Sequence, residues 1–255
     1  LLNQYFNQLN ATAKTVVVSS LLCFTVNAAD GPTNYQKAQV TEVWQPEPAI
    51  VDTHSSAIPS DAEVLFTGDD LAQWQSVKGG PANWTVDNGT VTVKPGSGDI
   101  KTKNKYCDVQ LHLEWKTPTP DLKKKGQGRN NSGVFFQQRY EIQILDSYQN
   151  RTYSNGQAGS VYKQHIPLVN ATRPPETWQT YDIIFNAPRF DGDKLIKPAY
   201  VTVLHNGVLV QNHVQLQGPT SYIGLPQYKA HGCDSIKLQD HGNFVSYRNI
   251  WVRPL

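Results

Sequence analysis

Residues Asn131–Ser147 read NSGVFFQQRYEIQILDS. Two apolar runs, Val134–Phe136 and Ile142–Leu145, flank a polar turn at Gln137–Arg139. In the second run Glu141 and Gln143 alternate with Tyr140, Ile142 and Ile144, which is the period of a strand with one apolar and one polar face. A carboxylate beside a carboxamide on one strand face, with Asp146 just beyond, suits recognition of a polar ligand or proton transfer. A solvated sheet surface has the same pattern, so the neighbouring segments must decide.

Outward from that stretch the chain is a series of short strand signals separated by turn residues. Toward the N-terminus lie Cys107–Trp115, Ile100–Thr102, the pair Trp84–Val86 and Thr90–Val93 around Asn88-Gly89, and Val64–Phe66. Leu71–Trp74 suits one short helical turn, and Leu122–Asn130 reads as a loop whose Lys123–Lys125 run is a solvated segment or an anion contact. Toward the C-terminus lie Ser160–Tyr162, Trp178–Asn186, Ala199–His205 turning through Asn206-Gly207 into Val208–His213, then Ile236–His241 and Val245–Val252. Asn-Gly between alternating apolar runs is a hairpin signal. No stretch keeps a 3.6-residue apolar period over three turns. The expectation is all-β, with more than ten short antiparallel strands in a sandwich or jelly roll.

A chain of 255 residues supports a sizeable core. The formal net charge of +2 points to neither nucleic acid nor a membrane surface as partner. The 6 Trp and 12 Tyr can furnish sugar-stacking surfaces, although a β core uses such rings too. No methionine occurs, even at position 1, and the start is read as missing or initiated from another codon. Lys14 precedes the apolar segment Thr15–Val26, which is too short to span a bilayer, and Val26–Ala29 offers small residues for cleavage. Residues 1–29 are therefore expected to be a signal peptide cut near Ala28–Ala29, with the product exported to the periplasm or beyond. Residues 30–60, with Pro32, Pro46, Pro48 and Pro59, read as an extended arm in which Gln39–Trp44 could form a stray strand; the domain proper spans 61–255. Cys23 would leave with the signal. Cys107 and Cys233 remain, and an exported chain can join them, but sequence does not show that they meet.

Three strands carry chemically suggestive polar faces. Alternation in Cys107–Trp115 places Gln110, His112 and Glu114 together; Ile236–His241 does the same for Lys237, Gln239 and His241; Glu141 and Gln143 form the third set. If adjacent, they make a polar floor able to bind hydroxyls and move protons; if scattered, they are ordinary surface. The chain lacks a G-x-S-x-G nucleophile elbow, a phosphate-binding glycine loop, an H-E-x-x-H helix and a Cys/His zinc spacing. Glu141 and Asp146 could form a glycosidase pair, but on a straight strand they face opposite ways.

The segments VLFTGDDLAQW (64–74), DVQLHLEWKTP (108–118), NSGVFFQQRYEIQILDS (131–147), GSVY (159–162), WQTYDIIFNAPRFD (178–191), VTVLHNGVLVQN (201–212) and LQDHGNFVSYRNIWVRPL (238–255) resemble, in order and spacing, the secreted 3-keto-disaccharide hydrolase family, also described as 3-keto-glucoside lyase/hydratase domains. The resemblance runs over about residues 40–255. It implies a concanavalin A-like β-sandwich of two curved antiparallel sheets, one forming a concave ligand face. It further implies action on sugars already oxidised at C3 by a separate sugar 3-dehydrogenase. There a base removes the acidified C2 proton, the C1 oxygen leaves, and water adds to the enone. On that basis Glu141 or His241 is expected as base. Arg139 or Lys237 would stabilise the enolate. Ser132, Gln143 and Gln239 would orient hydroxyls, and Tyr162 would stack on a pyranose unless it is core. Asp146, Glu114 and His112 could hold a divalent cation, on a spacing that is not diagnostic. A non-catalytic lectin-like module and a conventional glycosidase are the rival readings, since one fold serves several functions.

Overall fold

The computed structural model describes residues 31–255. The expected signal peptide, Cys23 included, lies outside the described residues. The described residues divide into two units, one ending at Ala49 and one spanning Ile50–Leu255. Within the described part of the first, Asn34–Gln39 forms a six-residue helix, α1, closed by a capping box in which Thr33 and Gln36 satisfy each other's backbone N–H groups. The arm is thus not extended throughout, and Gln39–Trp44 is not a strand; its side chains are exposed, with no apolar face to pair.

The second unit is all-β. In chain order its strands are β1 (Glu63–Phe66), β2 (Trp74–Ser76), β3 (Thr85–Asp87), β4 (Thr90–Thr92), β5 (Ile100–Thr102), β6 (Val109–Lys116), β7 (Asn131–Phe136), β8 (Tyr140–Leu145), β9 (Gln179–Asn186), β10 (Arg189–Asp191), β11 (Lys194–Lys197), β12 (Tyr200–His205), β13 (Val208–Gln215), β14 (Lys237–Leu238) and β15 (Ser246–Pro254). Eight of them form one sheet in the order β13-β12-β9-β6-β15-β4-β3, with β1 also on β15. Five form the second, β2-β5-β14-β7-β8. The expected sandwich of two antiparallel sheets is what the chain builds.

Strand β15 serves three neighbours because it is irregular. Its register on β6 shifts between Arg248 and Trp251, where Asn249 adopts φ 47°. The bulge re-aims the strand, so Ser246–Tyr247 pair with β4 while Ile250–Val252 pair with β1. The exposed hairpin β10–β11 has no signal in the sequence: its residues are charged, half-covered or, like Ile196, exposed, and they bury no apolar face. Leu71–Trp74 makes a turn and then enters β2, because Trp74 is needed in the core, where its indole N–H donates to the Leu65 carbonyl.

Between the sheets lie Trp115, Phe136, Tyr140, Tyr181, Phe185 and Tyr247, all but fully buried. Phe136 and Phe185 stack at 4.7 Å across the sandwich, joining β7 to β9. Cys107 and Cys233 form a disulfide, with Cα atoms 4.7 Å apart. The adjacent bridge between Tyr106 and Asp234 brings them together.

Candidate functional site

Strands β7 and β8 pair around the three-residue turn Gln137–Arg139, in which Gln137 and Gln138 both take φ above 50°. Type I′ geometry of this kind matches the twist of a hairpin. The Gln138 amide donates to Asp234 and the Gln137 amide to the Tyr106 carbonyl, which holds the unusual turn in place. From that fixed end, alternation sends Tyr140, Ile142 and Ile144 into the core, and Glu141 and Gln143 to the other side. On β7, Val134 and Phe136 enter the core, while Asn131, Gly133 and Phe135 share the face of Glu141. The neighbouring β14 adds Lys237, followed by Gln239.

Over this face lies a cleft of about 700 Å³. Its floor is Glu141, Gln143, Asn131, Phe135, Lys237 and Gln239, with His241 at the edge; loops contribute Gln127, Tyr153, Tyr162, Lys163, Thr220 and Tyr222. Glu141 is 4 % exposed, and its carboxylate accepts no hydrogen bond among the described residues. Burial pushes the carboxyl up to about 8, a rise that the nearby Lys237 ammonium opposes and the Asp99 charge assists. Room for it comes from Gly133 on the next strand: a Cβ there would lie 2.7 Å from Glu141 Oε1. Lys237 Nζ sits 3.8 Å from the centre of the Phe135 ring and 2.9 Å from Asp99 Oδ2.

Gln143 donates to Gln127 Oε1 and Asn131 Oδ1 at 3.0 and 3.2 Å. Its own Oε1 is buried without a partner among the described residues, as is Gln239 Oε1. Unsatisfied buried acceptors are costly, and a ligand bearing hydroxyl donors would satisfy them. On the loops, the hydroxyls of Tyr153 and Tyr162 meet at 2.6 Å. Lys163 Nζ donates to the Tyr222 carbonyl at 2.6 Å and lies 4.3 Å from that ring's centre.

Of the residues named from sequence, Glu141, Gln143, Tyr162, Lys237, Gln239 and His241 therefore line one cleft. Five do not. Ser132 faces the core, donating to the Gln239 carbonyl and meeting Tyr247 Oη, both at 2.6 Å; its parity on β7 opposes that of Gly133. Arg139 turns outward to Asp234 at 2.8 Å and to the Gln137 carbonyl, which fixes the hairpin turn. Asp146 is buried in an ion pair with Arg129 at 2.9 Å. His112 and Glu114 belong to β6 in the other sheet, where His112 meets Asp182 at 2.7 Å and Glu114 meets Arg248 at 2.7 Å. Gln110 shares that outer face. The polar floor is accordingly built from β7, β8 and β14 without β6. Asp146, Glu114 and His112 do not fit as ligands of one cation, and among the described residues no group of three or more His, Cys, Asp or Glu is placed to hold one.

Sequence did not single out Asn131, Phe135, Gln127, Tyr153, Lys163, Thr220, Tyr222 or Asp99. The parity of β7 carried the signal for Asn131 and Phe135, since both stand two residues from Gly133. The loop residues have no period to betray them.

A family model described as a 3-keto-alpha-glucoside-1,2-lyase-like domain matches residues 61–253. Among solved structures, a "putative glycosyl hydrolase" from Parabacteroides distasonis is 48 % identical, with 85 % of this chain and 96 % of that chain covered and a TM-score of 0.81. A second protein of the same description and organism is 22 % identical, covering 76 % and 94 %, with a TM-score of 0.56, and shares the fold. No curated protein matches the chain.

Proposed function

The chain belongs to the 3-keto-alpha-glucoside-1,2-lyase-like domain family, and from that premise we propose that it cleaves 3-keto-glycosides by elimination and hydration, with net hydrolysis. A carbohydrate-active role follows from the family and from the P. distasonis relative. The finer reaction rests on one observation: a single buried carboxyl, without a protein partner, faces a cleft otherwise lined by amides, tyrosines and lysines.

In this reading the substrate ketone at C3 acidifies the C2 proton, and the Glu141 carboxylate removes it. A carboxyl whose pKa lies near 8 is a stronger base, once ionised, than an ordinary one, and suits a carbon acid. Lys237 supplies positive charge where the enolate oxygen develops. The Gln143 and Gln239 carbonyls accept from sugar hydroxyls. The C1–oxygen bond then breaks as the C1–C2 double bond forms, and water adds to the resulting enone at C1. His241, exposed at the cleft edge, is the alternative base. The ketone arises upstream from a sugar 3-dehydrogenase, the expected functional partner. The disulfide suits an oxidising compartment, in keeping with export.

A conventional glycosidase needs two carboxylates flanking the bond, and among the described residues Glu141 is the one carboxylate on the cleft wall. A lectin-like module remains the other rival. Incubation with a 3-keto-glycoside and with its unoxidised parent separates the three. Cleavage of the keto sugar alone supports the proposal, cleavage of the parent supports a conventional glycosidase, and binding of either without turnover supports a lectin.

A further inference from the structure

The part of the cleft wall built by loops has a structure of its own. Tyr162 is tied to the floor by its backbone: its N–H donates to the Glu141 carbonyl at 3.2 Å, beside a bridge between Val161 and Ile142. Tyr153 comes from a different turn, and its ring lies across Gly156, where a Cβ would sit 2.1 Å from Tyr153 Cε2. That turn is anchored in turn by Gln127, whose amide donates to the Gly156 carbonyl at 2.7 Å. The two hydroxyls meet at 2.6 Å, so one phenol donates to the other and the acceptor keeps a proton to give away. Lys163 Nζ stands 5.8 and 5.9 Å from the two ring centres. Two phenols and an ammonium thus line the same cleft as Glu141, although no periodicity requires them there.

We propose that Tyr162 is the acid of the elimination and the base of the hydration, delivering its phenolic proton to the departing glycosidic oxygen, with the Tyr153 hydroxyl holding the Tyr162 hydroxyl in place. This rests on the elimination reading given above. In the first half, Glu141 takes the C2 proton, the C1–oxygen bond breaks, the aglycone oxygen takes the Tyr162 proton, and C1=C2 forms. In the second half, tyrosinate takes a proton from water, the hydroxide adds to C1, and the Glu141 carboxyl returns a proton to C2. One water is consumed, both side chains return to their starting states, and no other reagent is needed. Burial, the Tyr153 hydrogen bond and the Glu141 charge hold the phenol's pKa above its ordinary value, so Tyr162 waits protonated until an alkoxide, a much stronger base than phenolate, forms beside it. Tyr153 acts through Tyr162, as a positioning residue.

The leaving group provides the test. Wild type, Tyr162→Phe and Tyr153→Phe are assayed on a 3-keto-disaccharide and on 4-nitrophenyl 3-keto-glucoside, whose nitrophenolate needs no proton to depart. Tyr162→Phe is expected to lose about 10²–10⁴-fold in kcat on the disaccharide, but less than about ten-fold in nitrophenolate release, and the enone should accumulate because its hydration is slowed. Tyr153→Phe should show the same selectivity to a smaller extent. Equal losses on both substrates, or no loss on the disaccharide, would overturn the assignment while leaving the elimination reading intact. Wild type inactive on both keto substrates would overturn that reading and this one with it.

Discussion

At the scale of single residues, a carboxyl that stays neutral to about pH 8 is expensive to keep in a sheet that could have placed a threonine there. Its folded pKa lies above the unfolded value, so the stability it contributes is fully present below pH 4.5 and lost as pH rises through about 8. Glu141→Gln removes the titration. The variant should gain stability relative to wild type as pH rises from 5 to 9, by an amount on the order of a few kcal/mol, measured by urea unfolding at both ends of that range. The same substitution should abolish turnover of a 3-keto-glycoside, and wild-type kcat/KM should rise with pH through about 8. Gly133→Ala tests the geometry rather than the charge. The added methyl collides with Glu141 Oε1, so kcat should fall at least ten-fold, while circular dichroism shows the fold intact. Parity made Glu141, Gln143, Lys237 and Gln239 legible in the sequence, because a strand's two faces are fixed by a period of two. Ser132 was misread because its neighbour Gly133, one register away, is the residue that faces the cleft. Tyr153, Lys163 and Tyr222 were illegible because loops position them through backbone contacts with distant segments.

At the scale of elements, the difference between expectation and structure is informative in one place. Strand β6 has the most suggestive polar face in the chain, with Gln110, His112 and Glu114, yet it lies in the eight-stranded sheet with that face turned away from the core. Parity tells which side chains share a face, but not which strands share a sheet; that depends on long-range pairing, here of β6 with β9 and β15. His112 is committed to Asp182 and to stacking on Trp251 at 5.1 Å. His112→Ala should therefore leave kcat/KM for the keto sugar within about two-fold of wild type, while lowering stability by about 1–2 kcal/mol through the lost hydrogen bond and stack. A hundred-fold loss of activity with unchanged stability would mean that β6 reaches the site after all.

At the scale of the whole molecule, the sandwich, its antiparallel order and most strand positions were legible, since alternation and Asn-Gly turns report them locally. The Cys107–Cys233 link was not, because it depends on the Tyr106–Asp234 bridge between segments 126 residues apart. That link closes a long loop near the β7–β8 turn, where Arg139 and Gln138 also hold Asp234. Replacing both cysteines by alanine should cost about 2–5 kcal/mol in denaturant unfolding. Glu141 stands two residues beyond that turn, paired with Phe135, so the molecule ties its candidate base to the core by one covalent and several polar anchors. The central claim is that this base acts on carbon, at C2 of an oxidised sugar. Turnover of a 3-keto-glycoside deuterated at C2 tests it directly: cleavage slower than with the unlabelled substrate, and loss of the label to solvent, are the predicted results. An unchanged rate with the deuterium fully retained in the released sugar would contradict the account.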